Sequence, residues 1–232
     1  MNDIVVNLGS YPTSAISDAL DRLGVTGQAM GIHPLDRGFR LAGRAFTAQY
    51  QPVDAAGGTV GDYIDDVPAG SVVVLDNGGR TDATVWGDIL TEVASRQGLA
   101  GTVIDGVCRD CTRALEVGYP IFSRGNWMRT GKDRVAMVAT QVPVVLGRVR
   151  VTPGDIVVGD ADGVVVIPAA REDEVFAATI EIEASEGRIR AAVASGTRLD
   201  EARRQAGYHS LQSNSHYSAT KRASRFSEVD LP

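Results

Sequence analysis

The chain has 232 residues, 44% hydrophobic and 22% charged, the balance of a soluble globular protein long enough to bury a core. Its formal net charge of -6 argues against a nucleic-acid partner, which needs a basic face, and no apolar run is long enough to span a bilayer. Met1-Asn2-Asp3 lacks the basic-then-apolar layout of a signal peptide, so a cytoplasmic protein is expected.

Thr13 or Ser14 is placed to cap a first helix with Ile16, Ala19, Leu20 and Leu23 on one face and Gly24 as its stop. A strand-like run follows from Leu41 to Tyr50, then a short helix near residues 61–66. Pro68-Ala69-Gly70 turns into Ser71–Asp76, a near-continuous apolar run typical of a strand covered on both faces. Asn77-Gly78-Gly79 reads as a tight turn; without G-x-G-x-x-G or a P-loop lysine it is a weak nucleotide signal. Gly87 opens a helix with Ile89, Leu90, Val93 and Ala94 as its buried stripe and Gly98 as its end. A strand over 102–104 leads to Arg109-Asp110, followed by a helical turn over 112–117 and a short strand over 119–123.

The second half changes character. Val-rich segments over 141–151, 156–159 and 163–167, separated by Pro153-Gly154 and Asp160-Ala161-Asp162-Gly163, suggest antiparallel hairpins. Residues 170–194 read as a long helix with Val175, Phe176, Ile180, Ile182, Ile189 and Val193 inward. Thr197 and Asp200 form a capping box for a last helix that stops by Gly207. The expectation is one mixed α/β domain over residues 1–207, its sheets covered by helices, and a polar, Ser-rich tail or arm over 208–232.

The scarcity of some residue types removes mechanisms. Only Lys132 and Lys221 are lysines, in a polar Thr-Gly-Lys-Asp turn and the Ser-rich tail, where neither suits Schiff-base chemistry. The three histidines, His33, His209 and His216, offer almost nothing to a histidine metal site or a Ser-His-Asp triad. Cys108 and Cys111 form a C-x-x-C; a zinc site would need two further ligands, a redox pair is the alternative, and two ordinary buried thiols is the favoured reading. The chemistry falls to carboxylates, arginine and backbone.

Those groups concentrate between Trp86 and Cys111. Asp88, in the first turn opened by Gly87, either stabilises the helix dipole or belongs to an anion site built from the free amides of Gly87, Asp88, Ile89 and Leu90. Arg109-Asp110 follows a buried strand. It is either an exposed ion pair or a divided site, with Asp110 a hard oxygen ligand for Mg²⁺ or Mn²⁺ and Arg109 a stabiliser of oxyanion charge. Glu186 stands four residues before Arg190, the spacing of a helical surface pair.

Asp88, then twenty residues, then Arg109-Asp110 resembles the signature of the 4-hydroxy-4-methyl-2-oxoglutarate and 4-carboxy-4-hydroxy-2-oxoadipate aldolases, which share their fold with the regulators of ribonuclease activity. Further similarities are Ile16-Ser17-Asp18-Ala19-Leu20, Gly43-x-Ala45-x-Thr47, Pro68-Ala69-Gly70 before a Val-rich strand, and Gly159-Asp160-x-x-Gly163-Val164-x-x-Ile167-Pro168. One departure is Ala83, where that family often has glycine.

The resemblance implies a layered α/β/β/α sandwich of the swivelling-domain type, assembled as homotrimers or homohexamers with sites at subunit interfaces. It implies a divalent-metal (Mg²⁺ or Mn²⁺) lyase that cleaves a 4-hydroxy-2-oxo acid to pyruvate, with oxaloacetate decarboxylation as a side activity. Asp110 would ligate the metal directly, Asp88 would hold a metal-bound water, and Glu186 would reach a neighbouring subunit's metal waters. Arg109 would face the keto oxygen, and the Gly87–Leu90 backbone would hold the pyruvyl carboxylate. The alternative is a non-catalytic regulatory or protein-binding member of the same fold family. Those regulators lack the aspartate of the Arg-Asp pair, which this chain has at Asp110. A methyltransferase finds no support, because no glycine-rich nucleotide loop follows an early strand. The partner half of the substrate is unmarked; its contacts would come from loops such as that over 51–61 or from a neighbouring subunit.

Overall fold

The computed structural model describes residues 4–53 and 60–207. The expected tail over 208–232 and most of the loop over 51–61 lie outside the described residues. The chain divides into two compact units, Met1–Thr13 with Gly27–Glu172 and Ser14–Thr26 with Asp173–Pro232. No helix among the described residues is long and apolar enough to cross a membrane.

The chain opens with α1 (Ile4–Gly9) and α2 (Thr13–Leu23), and the first unit then adds two short strands, β1 (Gln28–Ala29) and β2 (His33–Pro34). Its frame is four strands in parallel order: β3 (Leu41–Pro52), β4 (Val72–Thr84), β5 (Gly101–Cys108) and β6 (Ile121–Asn126). Between them lie a single 3₁₀ turn at Ile64–Asp66, α3 (Asp88–Arg96) and α4 (Cys111–Val117). β7 (Val135–Thr140) pairs antiparallel with the second half of β3. β8 (Val144–Leu146) and β9 (Val149–Val151) form a hairpin, as do β10 (Ile156–Asp160) and β11 (Gly163–Ile167), so the antiparallel expectation holds. The sheet order is β1-β11-β10-β3-β4-β5-β6-β2.

The apolar runs at the centre follow from burial on both faces. Successive strand side chains point to opposite sides. Val73 and Leu75 of β4 and Ile104 of β5 join one core with Phe46, Trp86, Ala94 and Ala114, against which α3 and α4 pack. Val72, Val74 and Val103 join a second core with Phe122 and the valines of β8 to β11. Helices therefore cover one face of the parallel strands and antiparallel hairpins the other. The mixed α/β architecture is that of the expected class.

Several local expectations are corrected. Asn77-Gly78-Gly79 is not a turn that ends the strand: β4 bulges there and continues to Thr84. The Asp76 carboxylate accepts from the Gly78 amide (2.9 Å), and Gly78 and Gly79 adopt positive φ, which glycine allows at little cost. The same carboxylate accepts from Val145 (3.0 Å), while Asp105 accepts from Gly147 (3.0 Å) and pairs with Arg124. Two buried aspartates on neighbouring strands thus pin the β8–β9 hairpin. The sequence reading missed α1 and β7. It also placed Ile89 inward, yet Ile89 is 76% exposed, and Thr91 and Ala94 fill the buried positions of α3.

The second unit holds most of α2, α5 (Glu172–Ala194) and α6 (Leu199–Gln205). Ile16, Ala19 and Leu20 are buried as expected. In α5 the buried stripe is Val175, Ala178, Thr179, Ile182, Ser185 and Ile189. Ile180 and Val193 fall off that stripe and are more than 40% exposed, so their inward placement was wrong. The capping box is absent. Arg198 is the N-cap, without a side-chain cap bond, and Asp200 pairs with Arg198 at 3.1 Å. Thr197 instead closes α5 through its amide to Ala192 (3.0 Å).

Thr13 does not cap either, being the first residue of α2. Its amide (2.8 Å) and hydroxyl (2.6 Å) both donate to the buried Asp160 carboxylate, which also accepts from the Asp162 amide at 3.0 Å. Burial opposes the charge on Asp160, but these three hydrogen bonds and the Arg40 charge outweigh it and hold the carboxyl below its ordinary value. A depressed folded pKa gives stability that is present above the unfolded value of about 3.9 and lost as pH falls through the folded one. Asp160→Asn, with one acceptor oxygen in place of two, should cost about 1–3 kcal/mol at neutral pH. In urea titrations the gap between it and the parent should close below about pH 4.

Candidate active site

The site lies at the C-terminal ends of β4 and β5, where strand exits expose side chains and backbone in α/β proteins. After β4 the buried pair Val85-Trp86 leads to Gly87, the N-cap of α3. The Trp86 indole N–H donates to Thr91 Oγ1 (2.9 Å), and that hydroxyl donates to the Gly87 carbonyl (2.9 Å). Trp86 also stacks on Tyr119, with ring centroids 6.1 Å apart and planes 5° from parallel. The turn is thereby held from inside the core.

The second turn comes from β5. The Arg109 amide donates to the Trp86 carbonyl at 3.0 Å, tying the end of β5 to the entrance of α3. Asp110 follows in the left-handed region (φ 55°, ψ 37°), sparsely populated for a residue with a Cβ but tolerated by aspartate. It is the N-cap of α4, yet its side chain makes no cap bond there. Its Oδ2 instead accepts from the Asp88 amide (3.3 Å) and lies 3.2 Å from Arg109 Nε. A Cβ on Gly87 would stand 2.8 Å from Asp110 Oδ2 and 3.4 Å from Arg109 Nε. The backbone at Gly87 is extended, so what glycine provides here is close approach of the Asp110 and Arg109 side chains rather than an unusual φ.

The structure thus brings Gly87, Asp88, Arg109 and Asp110 together. Gly87, Asp88, Ile89, Leu90 and Arg109 line one cleft of about 630 Å³. Of the turn's four amides two are engaged internally, Asp88 with Asp110 and Ile89 with Asp88 Oδ1 at 2.8 Å. Asp88 therefore does stabilise its helix, and the amides of Gly87 and Leu90 have no protein acceptor among the described residues. Glu186 belongs to α5 in the second unit, where it pairs with Arg190 at 3.2 Å.

Sequence reasoning missed a further part of the cleft lining, Thr130, Gly131 and Lys132. Lys132 reads in the sequence as a polar turn residue. Gly131 gives the only local hint: a Cβ there would stand 2.1 Å from the Thr84 carbonyl, so the segment is pressed against the end of β4.

Among the described residues no group of three or more His, Cys, Asp or Glu side chains is placed to hold a metal. The donor set is the pair of exposed carboxylates, Asp88 and Asp110, with Asp110 Oδ1 making no protein hydrogen bond among the described residues. Hard oxygen donors, few in number and open to water, fit a hydrated Mg²⁺-like cation, which keeps several waters and takes one or two carboxylates. They do not fit a closed zinc site. Cys108 is buried and Cys111 half-buried, which corrects the reading of two buried thiols. Burial, then the neighbouring Cys111, pushes the Cys108 thiol up to about 12.

A family model described as RraA-like, Aldolase/RraA, matches residues 13–166, and the chain belongs to that family. Protein DlpA of Legionella pneumophila subsp. pneumophila is 42% identical over 206 residues, which cover 88% of this chain and 34% of DlpA; the chain spans about a third of that relative. A Halalkalibacterium halodurans protein named "Putative 4-hydroxy-4-methyl-2-oxoglutarate aldolase" is 35% identical over 174 residues, covering 75% of this chain and 80% of its own. Among solved structures, Streptomyces coelicolor RraAS2, described as an unusual member of the RNase ES inhibitor RraA protein family, superposes with a TM-score of 0.74. It is 31% identical, over 82% of this chain and 96% of that one.

The Trp86–Thr91–Gly87 relay predicts that Thr91→Val, nearly isosteric, leaves the buried indole N–H without an acceptor. The expected loss is about 1–3 kcal/mol, read from the midpoint of chemical denaturation.

Proposed function

We propose that this chain is a divalent-metal-dependent lyase that cleaves a 4-hydroxy-2-oxo acid to pyruvate and decarboxylates oxaloacetate as a side activity. The observation that carries the reading is the meeting of Asp88 and Arg109-Asp110 beside one cleft, through the Asp88 amide on the Asp110 carboxylate. The aldolase name of the Halalkalibacterium halodurans relative supports it.

Asp110 would hold the cation directly and Asp88 through water; when bound, the cation supplies Lewis-acid polarisation of the 2-oxo group. The open amides of Gly87 and Leu90 suit the substrate's C1 carboxylate, at a helix N-terminus that favours an anion. Asp88 positions a water that takes the C4 hydroxyl proton. The C3–C4 bond then breaks, C4 becomes a carbonyl, and its electron pair passes to the pyruvate enolate. Arg109, lining the cleft, stabilises the oxygen where that charge collects. Protonation at C3 completes pyruvate, and loss of carbon dioxide from oxaloacetate leads to the same enolate. Lys132 offers the cleft a further cation for a second carboxylate on the substrate. In this reading the chain works as a homotrimer or homohexamer, with Glu186 reaching a neighbouring subunit's site.

A second reading, a non-catalytic binding protein, is favoured by the likeness to RraAS2. One assay separates them: Mg²⁺ or Mn²⁺ and oxaloacetate are added and pyruvate is followed. Asp110→Asn should remove turnover, and Arg109→Lys should lower kcat by about 10²–10³-fold, the scale of losing an oxyanion donor. Chelation should stop the parent enzyme and added Mg²⁺ should restore it. Undiminished activity after chelation, or no pyruvate with either metal, defeats the aldolase reading.

A further inference from the structure

Two thiols flank Arg109-Asp110, and the chemistry of the cleft leaves both unused. Cys108 ends β5 with 0% exposure, and Cys111 begins α4 half-buried. Their Sγ atoms lie 3.8 Å apart. A disulfide needs about 2.05 Å, so the side chains already face one another and closure takes a shift of roughly 2 Å. The other neighbours of Cys108 Sγ are the Ser123 hydroxyl at 3.9 Å and the Gly125 carbonyl at 3.8 Å, contacts too long to compete with a covalent bond. Among the described residues no third His, Cys, Asp or Glu joins the pair as a metal group.

We propose that Cys108 and Cys111 form a reversible intramolecular disulfide at the expense of a low-molecular-weight disulfide, and that this modification displaces the Arg109-Asp110 corner. Cys111, the less buried residue of the pair, attacks the small disulfide as a thiolate, releasing one thiol and leaving a mixed disulfide on itself. Cys108, deprotonated in turn, attacks the Cys111 sulfur and expels the second thiol. The protein gives up two protons and two electrons, and the reagent takes them up as two thiols.

The displacement follows from what lies between the sulfurs. Cys108 is fixed in β5, in register with Asn126 of β6, so the motion falls on the Asp110-Cys111 side. Asp110 is already in a left-handed backbone state there, and its carboxylate holds the Asp88 amide at 3.3 Å. Drawing Cys111 inward pulls on that bond and on the Arg109 amide's bond to the Trp86 carbonyl. The disulfide is independent of the reaction assigned to the cleft; only its effect on turnover rests on that reading.

The test uses the purified full chain, incubated with oxidised glutathione or with dithiothreitol and digested with trypsin without reductant. Cleavage after Arg96, Arg109 and Arg113 separates the cysteines onto two peptides, 97–109 and 110–113. The oxidised sample should hold these as one species, lighter than their sum by two hydrogens, which dithiothreitol splits and Cys111→Ser never forms. Glutathione adducts on separate peptides, or two free thiols, would overturn the disulfide. Hydrogen exchange then reads the corner without reference to catalysis. The Asp88 and Arg109 amides should exchange faster in the oxidised chain, and unchanged exchange would overturn the displacement. Where pyruvate release from oxaloacetate is measurable, oxidation should lower it and dithiothreitol should restore it, while Cys111→Ser keeps the reduced rate in both conditions. An unchanged rate also counts against displacement, whereas absence of pyruvate in every sample counts against the aldolase reading alone.

Discussion

The Asp88 amide donates to the Asp110 carboxylate at 3.3 Å, and this bond joins two turns that leave different strands. Gly87 leaves room for it, since a Cβ there would stand 2.8 Å from the same carboxylate oxygen and the Asp110 side chain would have to shift. Asp110 in turn reaches that amide from a left-handed backbone, a state that costs on the order of 1–3 kcal/mol and persists where the surroundings over-determine it. The surroundings here are the Arg109 amide on the Trp86 carbonyl and the relay from the Trp86 indole through Thr91 to Gly87. A left-handed residue, a missing side chain and a buried tryptophan serve one meeting of the Asp88 turn with the Arg109-Asp110 pair.

The sheet makes that juxtaposition reproducible. β4 and β5 are parallel neighbours whose alternate residues fill two cores, one under α3 and α4 and one under the antiparallel hairpins. With both faces buried, a slip of one residue would exchange the two sets of side chains, so the register is tightly specified. The buried Asp76 and Asp105 add polar specificity on the hairpin side, each accepting one backbone amide from residues 145–147. The ends of β4 and β5 are thus anchored in two cores beside the cleft, and Ile89 and Lys132 are among the residues that line it.

Membership of the Aldolase/RraA family leaves two kinds of protein open, and the physical difference between them is small. The same fold can present a cleft that binds and one that turns over, because catalysis depends on a few groups at strand ends rather than on the scaffold. This chain carries at such a strand end Asp110, the carboxylate that the resemblance associates with catalytic members. It stands between two cysteines whose Sγ atoms lie 3.8 Å apart, and the proposed disulfide would couple the corner to thiol chemistry.

The sequence by itself determined what local patterns can carry. The apolar runs of β4 and β5 reflect burial on both faces, the glycine ends of α3 and the hairpins reflect local punctuation, and the stripe of Ile16, Ala19 and Leu20 reflects a period of 3.6 residues. The set of groups able to do chemistry was also legible, because so few lysines and histidines remain once composition is read. Tertiary structure alone decided the continuation of β4 through Gly78 and Gly79, the exposure of Ile89, the pairing of β7 and the arrival of Lys132 at the cleft. Each of these depends on a partner far away in the chain: the Gly78–Gly79 bulge needs β5 beside it, and Lys132 needs the end of β4. Hydrophobic periodicity states which side of an element is buried, whereas the identity of the neighbour that buries it is settled only when the strands pack.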